Sequence, residues 1–233
     1  MKNSAIFVIL AFLLNGCEFP SDSNEENARS PLITYENQFT VYRIPKDSMD
    51  FKIGKVPPAD ADFYLNGNFF SDQPLGLVVI EGKRHAKRKT GGGYFFVRNG
   101  KAHVRALECP KMTEYASQTI LWGIDDGTVN DALLKKTHAL KPTYRTLMGE
   151  DEHANIWVIA SNRTGLVTIE EMVNYALKIG LVEAVLFDGG SSVEYKFTDG
   201  EREESFKAMN GWIKKYKRIQ EPPVFIYGNF KRL

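Results

Sequence analysis

The chain has 233 residues, 43% of them apolar and 25% charged, with 30 Lys and Arg set against 29 Asp and Glu. That length suits one substantial domain rather than two. The formal net charge of +1 argues against a dedicated nucleic-acid binder, which would carry a basic excess.

The first elements are not part of a fold. Lys2 precedes an apolar run, Ala5 to Leu14, that is too short to span a bilayer comfortably and reads as a secretory signal. The run ends in "LLNGC", Leu13 to Cys17, and this stretch resembles a bacterial lipoprotein signal. The resemblance implies cleavage after residue 16, acylation of the Cys17 thiol and a membrane-anchored, exported protein. A plain signal or an uncleaved anchor is the alternative. Lipidation of Cys17 leaves Cys109 without a partner, whereas a Cys17–Cys109 disulfide is the other pairing open to an exported chain. Residues 17–32 include "EFPSDSNEENARS", polar and acidic, and are expected to be a flexible tether. The folded domain is then 33–233.

Within it, Asn37 to Pro45 alternates like a strand, and Ala61 to Phe70 is a short apolar run that ends at Asn66 and Gly67. "LGLVVIEGK" and "GGYFFVRNGKAHV" read as strands joined by turns, with Asn99-Gly100 a hairpin signal because both residues accept positive φ. Asn155 to Asn162 is a buried-strand candidate, with a hairpin expected before it. Thr168 to Gly180 carries the strongest helix pattern: Thr168 and Glu171 form a capping box, apolar residues share one face, and Gly180 stands where a C-terminal cap belongs. Val182 to Phe187 returns to strand. The expected fold is α/β or α+β: one domain with a mixed sheet, a βαβ unit in the C-terminal half whose strands run parallel, and a surface cleft at strand ends.

Asp188 closes that last strand and opens "DGGSS". Gly189 and Gly190 let backbone approach a ligand, their amides can face an anion, and Ser191 and Ser192 add hydroxyls. An ordinary Asp-Gly turn is the competing reading. The glycines fall wrongly for a nucleophile elbow, which excludes the usual serine hydrolase arrangement. Arg145 lies among apolar and β-branched neighbours, a setting that favours engagement with a carboxylate or phosphate.

In chain order, "NGNFF", "QPLGLVVIEGK", "GGGYFFVRNGK", "SQTILWGIDDG", "YRTLMGE", the capped helix and "LFDGGSS" resemble the phosphodiester glycosidase domain family. The resemblance runs from about Asn37 to the closing "PPVFIYGNF". It implies hydrolysis at the anomeric carbon of a sugar held in a phosphodiester. It places the family's shared asparagine on Asn66, with Gly67 beside it, its arginine on Arg145, and its acid, glycines and serine on Asp188, Gly189, Gly190 and Ser192. Asn68 stands where the family usually has glycine, and Ser191 fills a position that is often a third glycine.

Cleavage at an anomeric carbon passes through an oxocarbenium-like state and normally takes two carboxyl groups. A phosphate leaving group lowers the need for a strong acid and raises the value of a cation, so Arg145 is expected to stabilise the departing charge and Asp188 to act as base or nucleophile. Asn66, Gly67, Gly189, Gly190 and Ser192 are expected to hold the substrate. A second acid is sought among Asp125, Asp126, Glu150, Asp151 and Glu194. No cofactor is expected, because His85, His103, His138 and His153 lack ligand spacing and "IDDGTVND" lacks that of a calcium loop. "GKRHAKRK" reads as a solvated hairpin or as a site of attraction for an anionic glycopolymer. The rival functions are a non-catalytic glycan-binding surface lipoprotein and a phosphodiesterase that cuts P–O.

Overall fold

The computed structural model describes residues 31–71, 73–108, 110–209 and 223–231. The signal, the lipidation at Cys17, most of the tether and both cysteines therefore lie outside the described residues. In chain order the strands are β1 (Leu32–Glu36), β2 (Phe39–Ile44), β3 (Met49–Gly54), β4 (Phe63–Asn66), β5 (Val78–Ile80), β6 (Lys83–Ala86), β7 (Gly93–Arg98), β8 (Lys101–Ala106), β9 (Tyr115–Thr119), β10 (Leu121–Asp125) and β11 (Thr128–Val129). Two one-turn helices, α1 (Asp131–Leu134) and α2 (Thr137–Leu140), lead into β12 (Thr146–Asp151) and β13 (Ile156–Ser161). Helix α3 (Ile169–Lys178), β14 (Leu181–Leu186), β15 (Glu194–Thr198), β16 (Glu203–Lys207) and β17 (Phe225–Phe230) follow.

These strands form a 7-stranded sheet, β1-β2-β13-β12-β14-β10-β11, and two 5-stranded sheets, β16-β15-β4-β17-β3 and β6-β5-β9-β7-β8. Each neighbouring pair is antiparallel. The fold is α+β and mostly β. The expected strand–helix–strand unit is present with one refinement. Strands β13 and β14 are parallel to each other, but β12 lies between them and pairs antiparallel with both.

Local chemistry explains the connections. Asn99 (φ 53°) and Gly100 (φ 68°) form the tight turn from β7 into β8. Thr168 caps α3 through the Glu171 amide while the Glu171 carboxylate returns to the Thr168 amide, and Gly180 (φ 86°) ends the element. The basic run begins after a turn at Glu81 (φ 50°) and Gly82 (φ 73°) and forms β6, at the edge of its sheet. The acidic "IDDG" stretch is the turn between β10 and β11, with Asp126 (φ 46°) and Gly127 (φ 72°) at its centre.

Strand alternation sends the two faces of the large sheet to different cores. On β2, Tyr42 and Ile44 join the core shared by the three sheets, while Phe39 and Val41 face the layer of α3. Aromatic rings dominate the shared core. Phe197 stacks on Tyr195 (4.5 Å), Tyr42 (5.0 Å) and Phe63 (5.6 Å), and Phe51 meets Phe95 edge-on at 5.3 Å. Burying one such ring contributes about 2–3 kcal/mol, so this cluster is the main cohesion between sheets.

Two carboxylates sit inside this arrangement. Glu150 and Glu183 oppose each other on β12 and β14, and are 4% and 9% exposed. Strand β8 is the edge of its own sheet, and these carboxylates accept its outward amides: Val104 N–H donates to Glu150 (2.9 Å) and Ala106 N–H to Glu183 (2.7 Å). Arg105 adds a 2.7 Å ion pair to Glu150. The amides that an edge strand normally leaves open are thus closed by acids from the neighbouring sheet.

Candidate active site

Asn66 ends β4 in one sheet and Asp188 follows β14 in another, 122 residues later, yet they meet directly. The buried Asn66 side chain donates from Nδ2 to the Asp188 carbonyl (2.8 Å) and accepts at Oδ1 from the Glu194 amide (3.1 Å). The Asp188 amide in turn donates to the Gly67 carbonyl (3.3 Å). One amide side chain therefore fixes both ends of the "DGGSS" loop.

That loop also rests on the segment before β12. The Gly190 amide donates to the Tyr144 carbonyl (2.7 Å), and Gly190 has φ 64°, a conformation that strains other residues. A Cβ on Gly189 would lie 2.8 Å from that same carbonyl and 3.8 Å from Arg145 Cγ. The first glycine is needed for close approach and the second for its backbone conformation. Ser192 closes a 3-10 turn, Gly190–Ser192.

Burial pushes the Asp188 carboxyl up to about 6, against the opposing effects of hydrogen bonds from Ser192 and the Gly189 amide. A carboxyl with that value exchanges its proton near neutral pH, as a general base or acid must. Arg145 is half-buried, with its stem against Gly189. Its Nε donates to the Val167 carbonyl (3.3 Å), and its Nη2 to the carbonyls of His138 (2.6 Å) and Lys141 (2.9 Å) at the end of α2. Among the described residues no carboxylate pairs with this guanidinium and Nη1 has no partner. Desolvation alone lowers its pKa. A partly desolvated cation with a spare pair of donors is suited to an anionic ligand.

The structure brings Asn66, Gly67, Asp188, Gly189, Gly190, Ser192 and the stem of Arg145 together. It also separates the five acids considered as second carboxyl. Asp125 and Asp126 lie at the β10–β11 turn, Glu150 grips β8, and Asp151 binds the Trp157 indole N–H (2.8 Å) and the Asn155 side chain (2.9 Å). Glu194 remains. Its amide is held by Asn66, and its carboxylate forms a 2.8 Å ion pair with Lys207. It borders an open cleft of about 460 Å³ lined also by Tyr64, Arg163, Tyr195, Ser205, Phe206 and Lys207. Arg163 and Lys207 carry no sequence signal beyond their charge.

Sequence reasoning also missed Gln118, which is fully buried. Its Oε1 accepts from the Leu77 and Lys89 amides (both 2.9 Å), and its Nε2 donates to the carbonyls of Lys89 (2.8 Å) and Gly91 (2.7 Å). All four hydrogen-bonding positions of the amide are used. The Gln118 carbonyl accepts from Asn68 Nδ2, and Ser117 Oγ donates to Asn68 Oδ1. Asn68, where glycine is usual, thus fastens the "NGNFF" loop to β9.

Comparison with known proteins adds three findings. The family model described as phosphodiester glycosidase matches residues 59–213. The fold is similar to the zebrafish N-acetylglucosamine-1-phosphodiester alpha-N-acetylglucosaminidase catalytic domain, auto-inhibited by its pro-peptide, with a TM-score of 0.60, 13% identity, and coverage of 87% of this chain and 82% of that one. It is also similar to a hypothetical protein from Synechocystis, with a TM-score of 0.59, 11% identity, and coverage of 87% of this chain and 61% of that one. A search by sequence among curated proteins finds no match.

Proposed function

Because the chain belongs to the phosphodiester glycosidase family, we propose that it hydrolyses the bond between a sugar's anomeric carbon and a phosphodiester. The observation that carries this reading is the Asp188 loop, its carboxyl raised to about 6, packed through Gly189 against the stem of Arg145, whose guanidinium has no carboxylate partner among the described residues. One group handles a proton or attacks carbon, and the other receives an anion.

In this reading the C1–O bond breaks and its electron pair leaves with the phosphate monoester, whose charge Arg145 Nη1 neutralises. Ionised Asp188 takes a proton from the attacking water, or attacks C1 itself and is later released by water. Asn66 keeps the loop in register, Ser192 and the Gly189 and Gly190 backbone contact the substrate, and Glu194 is the second carboxyl. The chain is read as an exported envelope lipoprotein anchored at Cys17. Labelled fatty acid incorporated by the wild type and lost in Cys17→Ser checks the anchor, and equal labelling of both removes it.

The reaction is tested with N-acetylglucosamine joined through phosphate to mannose, a 1-phosphodiester of the sugar in the zebrafish enzyme's name. Free N-acetylglucosamine and mannose phosphate are the expected products. N-acetylglucosamine 1-phosphate with free mannose would mean P–O cleavage and overturn the proposal. Arg145→Lys keeps the charge but loses the forked donor geometry, and kcat/KM is expected to fall about 100-fold. An unchanged kcat/KM would remove Arg145 from the phosphate.

A further inference from the structure

The near-neutral total hides an uneven distribution. Between Gly82 and Leu107 the sequence carries eight Lys and Arg and no Asp or Glu. Three of the eight have visible occupations within the fold. Arg105 pairs with Glu150 at 2.7 Å, Lys101 with Asp47 at 3.8 Å, and Arg98 lies 5.6 Å over the Phe96 ring. Lys83, Arg84, Lys87 and Lys89 are exposed and form no ion pair among the described residues. Arg88 is held by the Tyr94 hydroxyl, to which its Nε donates at 3.2 Å.

These cations are arranged, not scattered. Arg84 opposes Val79 across the β5–β6 pair, and so lies on the outer face of the sheet with the small apolar cluster Leu77, Val79, Tyr94, Phe96 and Ala116. There Arg84, Arg88 and Lys111 line a groove of about 470 Å³ whose apolar lining includes Leu77 and Val79, with Met112 95% exposed beside it. The strand leads directly into the strap Lys87–Gly92. Gln118 holds that strap through the amide and carbonyl of Lys89 and the carbonyl of Gly91, and the Gln118 backbone is bonded to Asn68, two residues from Asn66. A positively charged surface is therefore tied through one buried amide to the loop that fixes Asp188.

We propose that β6, the strap and this groove form an accessory subsite for the flanking phosphates of an anionic glycan chain, so that the substrate is a polymer of glycosyl phosphodiesters. The inference rests on the hydrolytic reading above. A single small diester has no use for four unpaired cations outside the site, whereas a chain with repeated phosphates gains from each one it meets. Single-stranded nucleic acid fits less well. Tyr94 and Phe96 are buried and the groove has no exposed aromatic ring on which bases would stack.

The test uses the full chain and an oligomer of N-acetylglucosamine 1-phosphate units, with the matching one-unit diester as control. Binding is measured on the Asp188→Asn background so that the oligomer stays intact. Adding Lys83→Gln, Arg84→Gln and Lys87→Gln is expected to weaken oligomer binding about tenfold or more and to reduce the log–log salt slope by about two to three. On the active background the same three changes are expected to raise KM for the oligomer and leave the one-unit diester unchanged. Equal oligomer affinity with and without them overturns the inference. So does equal or tighter binding of single-stranded DNA, or of phosphatidylglycerol vesicles. Oligomer binding without hydrolysis of either substrate supports the subsite and fails only the catalytic reading. Hydrolysis with no preference for the oligomer fails only the subsite.

Discussion

Asp188→Asn is expected to abolish hydrolysis and, above pH 6, to make the protein more stable. The Asp188 carboxyl is pushed up to about 6 from an ordinary 3.8 by burial. The folded state therefore holds its proton more tightly than the unfolded chain does. That preference favours folding fully below the unfolded value and is lost as pH rises through about 6, a loss of about 2–3 kcal/mol by pH 8. Asparagine carries no charge and suffers no such loss, while its side-chain oxygen can still accept from the Gly189 amide. Denaturant unfolding of wild type and variant should coincide near pH 4 and diverge in favour of the variant at pH 8. Parallel curves at both pH values would show that the site does not strain the ionised acid.

The same titration fixes the direction of the activity profile. A base or nucleophile works ionised, so kcat/KM should be low at pH 4.5, half-maximal near pH 6 and level above it. A general acid would show the reverse limb. A fall above pH 6 would transfer the basic role from Asp188 to Glu194.

The second large effect is expected at Glu150. Burial alone would raise its pKa, but the His103 and Arg105 side chains and the Val104 amide more than offset this and hold it below the ordinary range. Removing the carboxylate with Glu150→Ala leaves the Val104 N–H without its acceptor and the Arg105 guanidinium, still held by the Val104 carbonyl, without its counter-charge, at a cost of about 3–5 kcal/mol. Glu150→Gln keeps an acceptor for the amide and should cost about half as much or less. The wild-type advantage exists above the unfolded carboxyl value and disappears as pH falls through the lower folded value. Unfolding midpoints for the three proteins at pH 7 and pH 3 check both statements. Equal losses for alanine and glutamine would place the whole effect in the ion pair.

Much of the framework was legible because it is local. The Asn99-Gly100 turn, the Thr168–Glu171 capping box and the Gly180 stop are each decided within a few residues, and all three are present as read. The parallel relation of β13 and β14 was also legible, since an apolar helix between two apolar runs forces a crossover. The strand between them was not, because pairing choice depends on which edges are free. At the site, "DGGSS" and Asn66 were visible as strand ends followed by glycine, and their meeting was not. Ser117, Gln118 and Thr119 are all fully buried polar residues. No apolar pattern marks them, since their partners are main-chain groups and an amide side chain far away in sequence. The neighbours of Arg145 in the sequence point to a carboxylate or a phosphate as its partner. No described carboxylate meets it, and it is fixed by three carbonyls that no spacing rule announces.

The hydrogen bond from Asn66 to the Asp188 carbonyl joins residues 122 apart in sequence. Contacts of that range are the slowest to form, because the loop they close must lose its freedom before any reward arrives. The β12–β13 hairpin and α3 depend on neighbours in the chain, whereas the Asp188 loop is registered only once β4 and β15 have paired. On refolding, helix ellipticity should return before catalysis does. Turnover should thus report on a part of the molecule assembled after its local elements, and a truncated or swapped chain that still looks folded by circular dichroism is expected to be silent in the hydrolysis assay.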